Sequence, residues 1–392
     1  MGNQSTTPFQ DLKDLPTSLY ESQCVLHKHE ILICGGYKQS ACYSYHTLKN
    51  EYKLICNYPY ITLWGYCGHC VVKLADINNK DSNEITLLSF GGSYKHTLMM
   101  KYVSVWSDDN EMNKSKKSNN HNEWIPFTDN HNNLIHIGRN EDNYCGVRAV
   151  IGGSNNHLLF ITYGPKNISV FDLNTLQFIK HDVLPIYYRI NYHCFISKSE
   201  NGQGQAMVKT NEEKNKIRKK KNNEMLLFCE KTGLSIEYDE NNNNFQFHRL
   251  HVCDDIDILS RYAYVYINDA ILFFAGNGFK GYNYIASKSV HKYLIQEQKW
   301  ITFDHTLPIP LHSCFGILNE DNTHIHIIGG IDDRNAAVST HMKTKVNIWR
   351  DASQLSSNEI KLAIQYWIRI LKIKLGWIND FEKIIIKYSR IQ

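Results

Sequence analysis

The short segment of this chain best equipped for side-chain chemistry is Cys67-Gly68-His69-Cys70. Two cysteines at this spacing can run thiol–disulfide exchange: one thiolate attacks, a mixed disulfide forms, and the second thiol resolves it. That chemistry needs the first thiol exposed at the start of a helix, in a βαβ setting. Here the motif runs straight into Val71-Val72-Lys73-Leu74, an apolar stretch of strand character. Cys70 also falls on a cysteine that recurs in Ser22-Gln23-Cys24-Val25-Leu26, Tyr192-His193-Cys194-Phe195-Ile196 and His312-Ser313-Cys314-Phe315-Gly316. The recurrence reads as one position of a repeating inner strand, filled by a small, buried, inert hydrophobe. Cys67 is then an extra cysteine beside it, and neither is assigned a redox role.

Other chemistries have less to stand on. A zinc site lacks a second Cys-x-x-Cys to complete four ligands, and the 19 histidines are dispersed. No glycine-rich phosphate loop, Gly-x-Ser-x-Gly elbow or paired-carboxylate signature occurs. No catalytic, cofactor-binding or metal-ligating residue is assigned, and no cofactor is expected. The 11 cysteines are an odd number in a chain with no secretory signal, so free thiols in a reducing, cytoplasmic setting are expected. The opening MGNQSTTPFQDLKDLP has no apolar core, and no run of about 18 apolar residues follows.

A net charge of +4 does not point to nucleic acid, because such proteins concentrate a larger charge on one face. The basic run Lys214-Asn215-Lys216-Ile217-Arg218-Lys219-Lys220-Lys221 reads as a solvated loop, with a nuclear-import or phosphate-binding patch as the alternative. Met1-Gly2-Asn3-Gln4-Ser5-Thr6 satisfies the pattern for N-myristoylation at Gly2. One acyl chain holds a membrane only marginally, so peripheral membrane association would need a second signal, which the basic C-terminal tail could supply.

The elements that carry these residues repeat. Ile31-Leu32-Ile33-Cys34 ends in Gly35-Gly36, and Tyr45 and Tyr52 follow with six residues between them. Ile325-His326-Ile327-Ile328 ends in Gly329-Gly330, with Met342 and Trp349 at the same interval. Ile271 to Ala275 leads to Gly276 and Gly278, then Tyr293 and Trp300. Leu158-Leu159-Phe160-Ile161 leads to Gly164, Phe171 and Phe178, and Leu226-Leu227-Phe228-Cys229 leads to Gly233, Tyr238 and Phe245. In the remaining copy Leu87-Leu88-Ser89-Phe90 ends in Gly91-Gly92, Tyr102 follows, and a polar insertion near Asn113 pushes the partner to Trp124. Glycines permit a sharp turn and close approach, while the aromatics fill the wedge between sheets.

This unit resembles the kelch repeat, in which an apolar strand ends in a glycine pair and Tyr then Trp follow at set distances. The resemblance covers roughly residues 20 to 352 and rests on six recurrences. It implies an all-β fold, a six-bladed β-propeller over residues 9–352, after a polar leader at 1–8. Phe9-Gln10-Asp11-Leu12-Lys13-Asp14-Leu15-Pro16 resembles the ends of two later units and reads as a stray outer strand that closes the ring. Whether it replaces the strand expected around Trp349 or lies beside it is open at this level. The Asn241-Asn242-Asn243-Asn244 run and the segment Ser199 to Asn223 read as exposed, mobile loops. Ile360, Ile364, Trp367, Ile368, Leu371 and Leu375 follow a helical period, so residues 353–392 read as a short helical extension.

The resemblance implies a non-catalytic scaffold or adaptor that binds another protein through its loops. Two alternatives come with it: an oxidase or sugar-processing enzyme with its site at the central channel, or a substrate receptor for ubiquitin transfer. The partner's identity does not follow from the sequence.

Overall fold

The computed structural model describes residues 7–59, 67–74, 83–93, 95–106, 121–198, 223–280 and 283–350. The Gly2 acceptor, the basic run at 214–221 and the tail at 353–392 lie outside them. Strand β1 (Phe9–Asp11) opens the described chain. Four-stranded antiparallel sheets follow in order. Blade 1 holds β2 (Gln23–His27), β3 (Glu30–Gly36), β4 (Gln39–His46) and β5 (Glu51–Asn57). Blade 2 holds β6 (His69–Lys73), β7 (Glu84–Gly91), β8 (His96–Val103) and β9 (Ile125–Pro126). Blade 3 holds β10 (Asn143–Gly152), β11 (Leu158–Gly164), β12 (Asn167–Asp172) and β13 (Gln177–Val183). Blade 4 holds β14 (Cys194–Ser197), β15 (Asn223–Cys229), β16 (Thr232–Asp239) and β17 (Asn244–Arg249).

Blade 5 holds β18 (Ala263–Ile267) and β19 (Ala270–Phe274), then a hairpin of β20 (Asn277–Lys280) and β21 (Asn283–Ala286), then β22 (Val290–Leu294) and β23 (Lys299–Thr302). Blade 6 is β24 (Phe315–Leu318), β25 (His324–Ile328) and β26 (His341–Lys345), completed by β1. Neighbouring inner strands lie against one another and β24 lies against β2, so the six blades form a closed propeller. The cores sit between sheets: Phe90 of blade 2, for example, packs with Tyr144, Val147 and Ile161 of blade 3.

Closure is by β1. Phe9, Gln10 and Asp11 pair with Thr344, Lys343 and Met342, and the Phe9 ring meets Phe274 of blade 5 edge-on. The strand is shorter than the sequence segment 9–16, although Leu12 and Leu15 still donate to the carbonyls of His341 and Ser339. Trp349 falls in the 3-10 turn Val346–Trp349, at the start of a second compact unit of which residues 346–350 are described, and not in a strand. The outer place in blade 6 therefore belongs to the N-terminal strand.

The repeated aromatic interval has a direct geometric meaning. Tyr45 and Tyr52, Phe171 and Phe178, Tyr238 and Phe245, and Tyr293 and Trp300 are each directly opposed across the two outer strands. Their ring centroids are 4.9, 5.1, 4.9 and 5.0 Å apart. In each hairpin the residue two before the second aromatic has positive φ: Asn50, Leu176, Asn243 and Gln298. The Asn241–Asn244 run is one of these turns. It is exposed as expected but anchored, since Asp239 accepts from the N–H groups of Asn241 and Asn242 and Tyr238 OH donates to Asn243. Tyr102 and Trp124 are no such pair. The Tyr102 hydroxyl donates to buried Glu30 of blade 1, and Trp124 stacks on Tyr58 at 4.8 Å.

In blades 2, 5 and 6 the glycine turn crosses the blade boundary. The N–H of Gly92 donates to Tyr144 O, that of Gly276 to Leu311 O and that of Gly330 to Leu19 O, in each case the next blade round. Blade 5 shifts the expected assignment by one residue: Ala275 (φ 65°) and Gly276 take the two turn places, while Gly278 lies within β20. There a Cβ would fall 1.8 Å from Ile258 O. In blade 4 the turn after β15 is Glu230-Lys231, with Glu230 at φ 47°, and Gly233 lies inside β16 opposite Phe228. Gly164 of blade 3 is followed by a cis peptide to Pro165.

Gly329 (φ 61°) is the tightest of the pairs, since its Cβ would meet Leu19 O at 2.2 Å. Gly329→Ala should cost about 1–3 kcal/mol, from the left-handed backbone and the clash with a carbonyl. A melting temperature equal to wild type would contradict this.

Histidines fill interior positions in neutral form. Tyr52 OH lies 2.5 Å from His341 Nδ1, and His341 Nε2 lies 2.9 Å from His326 Nδ1, linking blades 1 and 6. Burial lowers His326 to about 3 and His27 and His312 to about 4, and holds His193 and His341 well below the ordinary range. The unfolded chain takes up these protons near 6.5, so the stability they allow is full above that pH and falls below it. Each such group removes up to about 1.4 kcal/mol per pH unit between 6.5 and its folded value. Thermal melts from pH 7 to pH 4 should show a steep fall in Tm, and a flat profile would refute the neutral assignment.

Candidate functional site

In every blade the chain enters the inner strand through one residue with left-handed backbone: Glu21, Gly68, Gly146, Tyr192, Arg261 and Ser313, with φ of 56°, 66°, 75°, 49°, 54° and 54°. Four of their N–H groups donate to the corresponding carbonyl of the preceding blade. The N–H of Glu21 donates to Ser313 O (3.0 Å) and that of Ser313 to Arg261 O (2.7 Å). Likewise Tyr192 donates to Gly146 O (2.9 Å) and Gly146 to Gly68 O (2.8 Å). This ring marks one mouth of the central channel. Non-glycine residues adopt such backbone reluctantly, and they cluster where the surrounding structure imposes it.

Counting from this ring corrects the reading of the inner-strand cysteine as one position. Cys314 is one residue past the ring, Cys70 and Cys194 two, and Cys24 three. Accordingly Cys70 and Cys194 face Phe90 and Phe228, whereas Cys24 faces Ile33. All four are buried, and burial raises their thiols, Cys70 to about 11 and Cys24 beyond the ordinary range.

The side chains of the ring converge on Glu21. Its Oε1 accepts from Arg261 Nη1 at 2.8 Å, and its Oε2 accepts from Tyr192 OH and Cys67 Sγ, both at 3.0 Å. The Glu21 side chain is only 4% exposed and that of Arg261 30%. The Arg261 guanidinium also lies 4.0 Å from the centre of the Tyr192 ring. Burial pushes the Tyr192 hydroxyl far up, so it remains a neutral donor. Cys145, the residue before Gly146, places its Sγ 3.4 Å from the same hydroxyl, as does Cys67. The two thiols thus share one hydroxyl partner.

Cys145 lines a cleft of about 290 Å³ with Asn143, Arg189, Asn191, Tyr192 and Arg261 among its walls. The chemistry available there is recognition of a polar group by Arg261, Tyr192 and Arg189, and thiolate chemistry at sulfur. Among the described residues, no group of three or more His, Cys, Asp or Glu is placed to hold a metal.

The motif Cys67-Gly68-His69-Cys70 thus divides between two environments. Cys67 reaches the mouth, His69 is buried among the rings of Tyr58 and His96, and Cys70 is in the core of blades 2 and 3. Glu21, Cys145, Tyr192 and Arg261 carry no local signature. The available signal was their place just upstream of the inner strand, or near its start in the case of Cys145. The repeat residues Gly35, Gly36, Tyr45, Tyr52, Gly91, Gly92, Phe171, Phe178, Tyr238, Phe245, Tyr293, Trp300, Gly329 and Gly330 build blades and turns and take no part in this cluster.

No family model and no curated protein matches the chain. Among solved structures, one titled "Structure of YjhT" superposes with a TM-score of 0.56 at 14% identity, covering 84% of this chain and 95% of that chain. The likeness shows the architecture alone. Many solved chains match in this way, so the fold by itself does not specify an activity. No helix among the described residues is long and apolar enough to cross a membrane.

Removing Arg261 would strand a buried carboxylate. Arg261→Ala should lower stability by about 1–3 kcal/mol, and Arg261→Lys should recover part of that, since it keeps the charge but not the guanidinium geometry. Urea unfolding of the two variants checks it, and equal loss in both would show that charge is not the issue.

Proposed function

We propose that the chain is a kelch-type propeller of the cytoplasm that binds another protein on the face bearing the channel mouth. The observation that carries this reading is the exposed aromatic and basic tip beside the cleft. Tyr187 is 77% and Tyr188 49% exposed, on the connection between blades 3 and 4. Arg189 follows them into the cleft wall, and Arg249 lies 5.1 Å from the Tyr187 ring. Exposed Tyr and Arg on a rigid frame are the residue types that anchor protein interfaces, because they bury much area at small entropy cost. Phe279, 65% exposed on the β20–β21 hairpin, stands on the same face, where every second-to-third-strand loop emerges.

The kelch assignment is supported by the four opposed aromatic pairs and the glycine turns that donate to the next blade. A second reading, catalysis at the mouth, is favoured by the Glu21, Arg261, Tyr192 and Cys145 cluster bordering an open cleft. The two readings separate on different residues. With the wild-type chain as bait in affinity purification, Tyr187→Ala combined with Tyr188→Ala should reduce recovery of the specific partner at least about tenfold at unchanged melting temperature. Undiminished recovery would place the interface elsewhere. Loss with Glu21→Gln alone would favour the mouth cluster.

A further inference from the structure

We propose that Cys67 and Cys145 form a peroxide-responsive dithiol that closes into a disulfide across blades 2 and 3 at the channel mouth. Both side chains are partly exposed, whereas seven of the other nine cysteines are buried, and Cys145 borders the open cleft. The backbones that carry them touch. Gly146 N–H donates to Gly68 O at 2.8 Å, and a Cβ on Gly68 would fall 2.4 Å from Gly146 N and 3.2 Å from Cys145 Sγ. Only blades 2 and 3 have glycine at the ring position, where the other blades carry Glu21, Tyr192, Arg261 and Ser313. The two glycines are what allow the cysteines before them to meet.

The surroundings also divide the labour between the two sulfurs. The neighbouring Cys67 thiol, Tyr192 OH and Ser93 Oγ lower the Cys145 thiol, whereas the neighbouring Cys145 thiol and burial raise that of Cys67. Cys145 borders the open cleft and Cys67 faces Glu21, so Cys145 is the attacking thiolate and Cys67 the resolving thiol. The thiolate attacks one oxygen of a hydroperoxide and the O–O bond breaks. With hydrogen peroxide the leaving hydroxide takes up a proton as water, and Cys145 is left as a sulfenic acid. Cys67 gives its proton toward Glu21 Oε2, 3.0 Å away, and its sulfur displaces hydroxide from Cys145 as the S–O bond breaks. That hydroxide leaves as a second water. The two thiols lose two electrons, and the peroxide gains them.

The test uses the full chain and hydrogen peroxide. At pH 6.5, iodoacetamide should label Cys145 at least about tenfold faster than the partly exposed Cys56 and Cys253. Brief peroxide treatment should give a dithiothreitol-reversible Cys67–Cys145 cross-linked peptide by mass spectrometry, with Cys70 and Cys194 unmodified. In Cys67→Ser, Cys145 should persist as a sulfenic acid trapped by dimedone, and Cys145→Ser should leave Cys67 reduced. The idea is overturned if Cys145 labels no faster than Cys56, or if the wild-type cross-link joins Cys67 to Cys70. Both of those readings come from the wild-type chain, so misfolding of a variant does not leave the matter undecided.

Discussion

Every blade carries a residue whose backbone turns left-handed at the inner strand, and four of the six tie their blade to the one before it by a backbone hydrogen bond. At Glu21, Tyr192, Arg261 and Ser313 this conformation costs energy that glycine would not incur. It aims the N–H of Glu21, Gly146, Tyr192 and Ser313 at the ring carbonyl of the preceding blade. Once that direction is set, the inner strand and its antiparallel partner are placed, and in blades 2, 5 and 6 so is the glycine turn that donates to the next blade. The channel mouth is the product of this constraint.

The same ring sorts side chains into two sectors. Where the position is occupied by Glu21, Tyr192 and Arg261, long polar groups meet over a buried carboxylate, and Arg261 and Tyr192 satisfy it. Where it is glycine, room opens for the preceding cysteines, and Cys67 and Cys145 come to share the Tyr192 hydroxyl. Low dielectric strengthens each of these contacts, and the depressed Cys145 thiol follows from donors fixed in place by backbone, not from a helix terminus. The neighbouring loop offers a different surface, with exposed Tyr187 and Tyr188 beside Arg189. The exposed tyrosines and the thiol pair therefore lie on one face of the propeller.

Closure has its own logic. A propeller assembled from complete hairpins would leave β26 with an open edge, and β1 covers it from the opposite end of the ring. Phe9 extends that tie to blade 5, and the Tyr52, His341 and His326 chain ties blade 6 to blade 1. These histidines are neutral because the interior cannot solvate their charge, which makes ring closure sensitive to acid.

The architecture was legible in the residues because its signals are local. A seven-residue step from Tyr45 to Tyr52, Phe171 to Phe178 and Tyr238 to Phe245 is the length of one hairpin, and a hairpin brings its own ends together whatever surrounds it. Phe9 could be read as a closing strand because an orphan outer strand has one open edge to join. Where blades depart from the common length, local spacing misled. Trp124 crosses to Tyr58, Ala275 takes a glycine's place, and the inner-strand cysteines occupy three different positions. The site was beyond the sequence for a physical reason: Glu21, Cys67, Cys145, Tyr192 and Arg261 come from five blades, and only closure of the ring brings them within hydrogen-bonding distance. The sequence by itself determined the repeat and the residue types at each turn. The tertiary structure decided that the true partner of Cys67 is not Cys70, three residues away, but Cys145 in the next blade.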